Sequence, residues 1–300
     1  MMKLVSIIVP CFNAEKWIRD AIESSLQQSY PLIEVIVIDD GSTDKSLEII
    51  KSYQGKVIWE TGPNRGGNYA RNRGFSLSKG EYIQYLDADD YFAPNKIENQ
   101  VKCLEETKAD IVYGDITYQH HLPDGKIVLE PANFFGISGE QSDVLESLLS
   151  YGCLPPIAYL FRREIILKSR GWDETLKAGQ DRDFLISLLL DKAKIVYQFG
   201  FDSVYRRYGN VTVSTTNKRL LVQSFCTVLD KAEKTLISSS QYELNYQTAL
   251  AYSYYFLLRK YGQNINFFEC LLLLKNFLYK SAKIPIKSRK NKDKLIFCLV

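Results

Sequence analysis

The chain has 300 residues, 46% of them hydrophobic and 24% charged, with a formal net charge of +3. That length can bury a large core as one long domain or two, the composition excludes a disordered chain, and so small a charge gives no argument for nucleic acid. The six cysteines are scattered without a C-x-x-C pair, which fits a reducing compartment and argues against a zinc site.

The apolar run from Leu4 to Val9 is short and is stopped by Pro10, so it reads as a buried strand rather than a leader. Trp17, Ile18, Ala21, Ile22 and Leu26 then fall at helical spacing. Val35-Ile36-Val37-Ile38 is a continuous β-branched run, as a parallel strand covered on both faces requires. A helix carrying Leu47, Ile49 and Ile50, a strand at Val57-Ile58-Trp59, a helix over about 68–78 and a strand over 82–86 complete the first part. This alternation implies parallel pairing with right-handed crossovers, and ligands of such sheets bind outside the C-terminal strand ends. Residues 10–13, 39–44 and 87–90 all fall there, so three polar loops are expected on one rim.

Beyond Asp90 the pattern changes to a helix over about 94–106, a strand at Ile111-Val112-Tyr113, and a hairpin turn at Pro123-Asp124-Gly125. A helix near 140–150, a strand over 157–161, a helix from about Asp181 and a strand at Ile195-Val196-Tyr197 follow. From Lys218 glycine and proline nearly vanish, and the sequence reads as helices to its end. The expected organisation is an α/β domain over 1–215 with a helical extension over 216–300. No 20-residue apolar stretch that could span a bilayer is present.

Asp87-Ala88-Asp89 carries the most chemical information. Extended residues at i and i+2 point to one side, so two carboxylates are presented together, and they repel unless one is protonated or a cation lies between them. Mg²⁺ or Mn²⁺ is held by one or two carboxylates plus substrate phosphates. A solvated strand end, or a cap for the next helix, satisfies the same triplet. Asp39 and Asp40 end a buried strand and could accept hydrogen bonds from a base or ribose, or could cap the following helix as Ser42, Thr43 and Asp44 could. Asn64-Arg65-Gly66-Gly67-Asn68, ahead of Arg71 and Arg73, suits phosphate, although solvated arginines explain it equally. Asp181 is either a helix N-cap or a general base near an electrophile.

Taken together, these segments resemble the family 2 glycosyltransferases with the GT-A fold. The matching residues are 5–13, 34–44, 64–74, 80–90, Gly171-Trp172-Asp173-Glu174 and Gln180-Asp181, a likeness spanning about 2–214. The resemblance implies a Rossmann-like mixed sheet flanked by helices and a UDP-sugar donor. It places Pro10 and Phe12 beside the base, Asp40 on uracil, and Arg71 and Ala88 on the nucleotide side. Asp87 and Asp89 would hold Mn²⁺ or Mg²⁺ on the diphosphate, and Asp181 would be the base. The reaction implied is a single inverting displacement onto a hydroxyl of a glycan or lipid-linked acceptor.

Two departures stand out. Gln180 replaces the family's usual Glu, and Tyr208 stands where many members have a histidine. His120 and His121 are expected in a solvated turn. The rival readings are a degenerate protein that binds sugar nucleotide or a partner without turnover, and a sugar-phosphate nucleotidyltransferase. Pro10-Cys11-Phe12-Asn13 counts against the last, because such enzymes carry a Gly-rich basic loop after the first strand.

Near the C-terminus Phe267, Phe268, Leu271, Leu272, Leu274, Phe277 and Leu278 are followed or interleaved by Lys275, Lys280, Lys283, Lys287, Arg289, Lys290, Lys292 and Lys294. Such a segment could hold a cytoplasmic protein peripherally on an anionic membrane, or could pack on the catalytic domain or a second subunit as a homo-oligomer. Tyr246, Leu250, Tyr254 and Leu257 are expected in the core.

Overall fold

A computed structural model describes residues 2–132, 141–150, 152, 154–200, 202–208 and 217–282. The chain forms two compact units that alternate along the sequence: Met1–Gln141, Leu154–Thr175 and Asp191–Asn210 make the first, and Ser142–Cys153, Leu176–Leu190 and Val211–Val300 the second. This differs from the expected division into 1–215 and 216–300. Two apolar segments from the middle of the chain bury their side chains among the C-terminal helices, and no linear pattern marks that exchange.

In the first unit, β1 (Val5–Cys11), α1 (Ile18–Leu26), β2 (Ile33–Asp39), α2 (Ser46–Lys51), β3 (Ile58–Thr61), α3 (Gly67–Leu77) and β4 (Tyr82–Tyr85) follow the expected alternation. Next come β5 (Tyr91–Phe92), α4 (Lys96–Thr107), β6 (Ile111–Gly114), β7 (Ile116–His121) and β8 (Ile127–Ala132). The second unit contributes α5 (Gln141–Leu149). A short 3₁₀ turn over Pro156–Ala158, β9 (Tyr159–Arg162) and α6 (Arg163–Lys168) return to the first unit. After α7 (Gln180–Leu190) in the second unit, β10 (Ile195–Gln198) and β11 (Ser203–Tyr208) close the first.

Seven strands form one sheet in the order β10-β6-β9-β4-β1-β2-β3. β1 pairs parallel with β2 and β4, β2 pairs parallel with β3, and β9 runs antiparallel between β4 and β6. The sheet is therefore mixed, as expected. The continuous apolar runs of β1 and β2 are explained by cover on both faces. Val5, Ile7 and Val9 join Ile18, Ala21, Ile22 and Leu104 in the main core, while Ile36 and Ile38 pack with Ala70. α3 lies so close to β1 that a Cβ on Gly74 would fall 2.4 Å from Ile8 Cγ2, so glycine is required for that approach. A four-stranded sheet, β5-β11-β7-β8, brings residues 203–208 beside β7.

Charged side chains also join the elements of this unit. Glu105 accepts hydrogen bonds from Tyr82 Oη and from Lys3 Nζ (3.2 Å), and pairs with Arg162 Nη2 at 3.1 Å. The Tyr82 hydroxyl, then Lys3 and Arg162, hold its carboxyl down to about 2, below the usual 4.5. A depressed folded-state value adds stability that is present above about pH 4.5 and is lost as pH falls toward 2. Because Glu105 is 39% exposed, solvent screening limits this contribution to about 1 kcal/mol. Glu105→Gln is thus expected to lower the melting temperature at pH 7, with the gap to the parent closing below about pH 3 in acid-titrated thermal melts.

The second unit adds α8 (Lys218–Ser238), α9 (Leu244–Tyr261) and α10 (Phe267–Ala282). Tyr246, Leu250, Tyr254 and Leu257 are buried, as expected. Arg182 Nη2 donates to Ser253 Oγ at 3.0 Å, and that hydroxyl donates to the Leu149 carbonyl at 2.5 Å, so α7, α9 and α5 share a buried polar contact. Lys280, expected among cations facing either a membrane or solvent, is instead buried, with Nζ 2.5 Å from Glu233 Oε2 of α8 and over the Tyr254 ring. A lysine withdrawn from water needs such a counterion. The basic residues Lys283, Lys287, Arg289, Lys290, Lys292 and Lys294 lie outside the described residues, as does the expected boundary near 215.

Candidate active site

The C-terminal ends of β1, β2 and β4 gather residues 10–13, 39–44 and 86–90 on one rim of the first unit. Parallel pairing in register, with Cys11 opposite Asp39 and Ile8 opposite Tyr85, sets this arrangement. Pro10 lies within β1, and Phe12, half exposed, stands just beyond it. Burial, with Asp39 nearby, pushes the Cys11 thiol up to about 12, so this thiol stays protonated and is a poor nucleophile.

Asp40 is buried, and its two carboxylate oxygens accept the backbone N–H groups of Arg65 (2.8 Å) and Gly66 (2.7 Å). Its first task is therefore structural: it holds the basic 64–67 loop at the start of α3. Gly41 makes this possible, since its φ is +78° and a Cβ there would fall 2.8 Å from Asn64 N. Ahead of α2 the N-cap position is Lys45, and Asp44 just before it accepts the Ser46 N–H on Oδ1 at 2.9 Å. Asp39 accepts Thr61 Oγ1 at 2.6 Å, tying β2 to β3.

Arg71 of α3 is buried and donates from Nη2 to Asp87 Oδ1 at 2.6 Å. Its guanidinium lies 4.7 Å from the centre of the Trp172 ring, which in turn packs edge-on against Tyr85 at 5.1 Å. Asn72 holds Trp172 by both backbone polar groups, accepting from its N–H (3.0 Å) and donating to its carbonyl (2.9 Å). Asn68 donates to the Asp173 carbonyl at 2.6 Å. The Gly171-Trp172-Asp173-Glu174 segment thus floors the rim through α3. Its spacing from Asn68 and Asn72, about a hundred residues, carries no local signal.

Ala88 is buried beneath the rim between Asp87 and Asp89. Desolvation, then the Asp87 charge, raises the Asp89 carboxyl, and desolvation together with Asp89 and Asp87 raises the fully buried Asp90 well above the usual range. Arg206 of β11 offsets part of this charge. Its backbone N–H donates to Asp90 Oδ1 (2.8 Å), its Nη1 to the Asp89 carbonyl (3.2 Å), and its Nη2 to Asp20 Oδ2 (2.5 Å). The same guanidinium lies 4.7 Å from the centre of the Trp17 ring and 4.5 Å from that of Tyr91.

Tyr208 donates its hydroxyl to Asp89 Oδ2 at 2.9 Å and packs on Trp17, with ring centres 5.2 Å apart. His121 belongs to β7 rather than to a solvated turn; it pairs in register with Tyr208 and meets Trp17 edge-on at 5.1 Å. Tyr208 and Arg206 therefore reach Asp89 while packing on Trp17, which His121 also meets, a grouping that sequence reading missed. The strand pairing that creates it joins residues more than eighty positions apart.

Among the described residues, no group of three or more His, Cys, Asp or Glu side chains could by itself hold a metal ion. A diphosphate-bound cation requires fewer, one or two carboxylates with the phosphates completing the shell. Asp87 has Oδ1 committed to Arg71, whereas the Asp89 carboxyl, raised by burial and by its neighbour, is the group that an added cation would relieve. The donor chemistry therefore fits such an ion.

Asp181 begins α7 in the second unit. It is partly exposed, while Arg182 and Asp183 beside it are buried, Asp183 lying 3.7 Å from Lys231. Of the two aspartates in this turn, Asp181 is the one open to solvent.

Residues 6–165 match the family described as Glycosyl transferase family 2. A glycosyltransferase of Rickettsia typhi, itself uncharacterized, is 31% identical, over 95% of this chain and 93% of its own length. Among solved structures, Staphylococcus aureus TarS 1–349 in complex with UDP-GlcNAc superposes with a TM-score of 0.72 at 19% identity, over 92% of this chain and 81% of the other. The mannosyltransferase PcManGT from Pyrobaculum calidifontis, in complex with GDP-Man and Mn²⁺, gives a TM-score of 0.55 at 18% identity, over 94% and 82%.

Proposed function

Because the chain belongs to glycosyl transferase family 2, and is a glycosyltransferase with the GT-A fold, we propose that it moves a sugar from a UDP-sugar to a hydroxyl of a glycan or lipid-linked acceptor. The observation that carries this reading is the rim itself, where Asp40, Arg71, Asp87 and Asp89 converge at adjacent parallel strand ends. The UDP-GlcNAc in the neighbour of higher TM-score supports a uridine nucleotide. Pro10 and Phe12 would flank the base, and Asp40, with lone pairs remaining beside its two backbone bonds, would accept from uracil. Arg71 and the Asp87-Ala88 segment would border the diphosphate.

Asp89, with Asp87 beside it, would hold Mn²⁺ or Mg²⁺, which when bound supplies positive charge against the departing diphosphate. The reaction is one in-line displacement. The acceptor oxygen bonds to the anomeric carbon as the bond from that carbon to the diphosphate oxygen breaks. UDP leaves with the electron pair, and Asp181 takes the hydroxyl proton. The anomeric configuration inverts, and no covalent enzyme intermediate is needed. The free Cys11, Cys103, Cys226 and Cys270 support a cytoplasmic setting.

A thermal-shift screen of nucleotide sugars with Mn²⁺ tests the donor. A UDP-sugar should raise the melting temperature, by an amount equivalent to about 2.7 kcal/mol at a hundredfold excess over Kd, and chelation should reduce the shift. Greater stabilisation by GDP-mannose than by any UDP-sugar would overturn the choice of uridine.

A further inference from the structure

We infer that the outer face of α10 docks on an anionic membrane surface. This inference stands on the second unit alone, so it survives or fails separately from the donor and mechanism proposed above.

The orientation of α10 is fixed by its own contacts. At its start Asn266 Oδ1 accepts the Glu269 N–H (2.9 Å) and Glu269 Oε2 accepts the Asn266 N–H (3.0 Å), a reciprocal cap. Glu269 also accepts from Arg219 Nε (2.8 Å) and Gln223 Nε2 (2.9 Å) of α8. Leu273 and Phe277 are buried, and Lys280 is tied to Glu233. These contacts settle which face turns inward.

The outward face is nevertheless apolar. Phe267 and Phe268 are 70% and 79% exposed, and Leu271, Leu272, Leu274 and Leu278 are exposed beside them. At about 100° per residue these six positions span an arc of about 160°, the side opposite Leu273, Phe277 and Lys280. A helix apolar on all sides requires cover on all sides. At 16 residues α10 is about 24 Å long, short of the ~30 Å hydrocarbon thickness, and no described helix is long and apolar enough to cross a membrane. It therefore lies along the surface.

Charge selects the partner. Glu269, used internally, is the only acidic residue from 266 to 292, and Asp293 is the next. Lys275 lies within the exposed arc, where its long stem can keep the ammonium at the headgroup level. Lys283, Lys287, Arg289, Lys290, Lys292 and Lys294 follow in the sequence. A second copy of this chain meeting the same patch would set the Lys275 ammonium groups against each other, because a two-fold interface is self-complementary. Anionic lipid turns the same charges into attraction.

Co-sedimentation of the full chain with vesicles tests this. Binding is expected to phosphatidylcholine vesicles containing about one-third phosphatidylserine, with marked weakening in high salt and on pure phosphatidylcholine. Phe268→Ser with Leu272→Ser should weaken binding about tenfold or more at an unchanged melting temperature, since both side chains are exposed. Lys275→Glu should weaken binding to the anionic vesicles alone. The inference is overturned by absence of vesicle binding, by equal binding to neutral vesicles, by undiminished binding of the double variant, or by a dimer that the double variant dissociates without any lipid effect.

Discussion

Replacing Asp181 by Asn is expected to lower kcat by about 10²–10⁴-fold, the range over which a positioned proton acceptor acts. The amide has nearly the same shape but cannot take the acceptor's proton. Binding of UDP with Mn²⁺, measured by calorimetry, should be nearly unchanged, because in the proposed mechanism this residue acts on the acceptor and not on the donor. UDP release in the presence of acceptor is the kinetic readout. The neighbouring aspartate provides the contrast. Asp183 is buried near Lys231, so Asp183→Asn should act through stability rather than through turnover. Full activity in the Asp181 variant would remove it as the base.

The second large effect separates the two acids of the Asp87-Ala88-Asp89 triplet. Asp89→Ala is expected to weaken UDP binding in Mn²⁺ by at least about tenfold and to bring it to the value measured in chelator. Its carboxylate is the one whose burial and neighbouring charge call for a cation, and the side chain that donates to it is a neutral phenol, Tyr208. Asp87→Ala should behave differently. It removes the 2.6 Å hydrogen-bonded ion pair to the Arg71 guanidinium, costing about 1.5–3 kcal/mol of stability, and it should weaken UDP binding with or without metal. Thermal melts and calorimetry in Mn²⁺ and in EDTA distinguish the two patterns. If the patterns were exchanged, Asp87 would be the metal ligand.

Much of the scaffold was legible because it is written in local periods. The β-branched runs of β1 and β2, the helical spacing of α1, and the turn at Pro123-Asp124-Gly125 depend on neighbours a few residues apart. Their alternation places three polar loops at one edge of a sheet, and the ordered motifs by themselves point to family 2. What was not legible depends on pairing between distant segments. Trp172 beneath Arg71 needs Asn72 to hold its backbone. His121 reaches Trp17 because β7 lies parallel to β11, an arrangement with no sequence period. Asp40, readable as a ligand for a base, also ties two loops together, since backbone N–H groups from residues 65 and 66 reach both its oxygens.

The same distinction runs through the charges. Composition counted Lys280 among a row of cations, but a buried ammonium needs a counterion, and only the packing of α10 on α8 supplies Glu233. Strand–helix order, family and the residue types at the rim are all written in the linear chain, because hydrophobic period and motif are properties of neighbouring residues. The tertiary structure alone decided which carboxylate is committed to Arg71, which is held by Tyr208, and which face of α10 remains apolar toward solvent. Those outcomes depend on hydrogen bonds and burial between segments far apart in the chain.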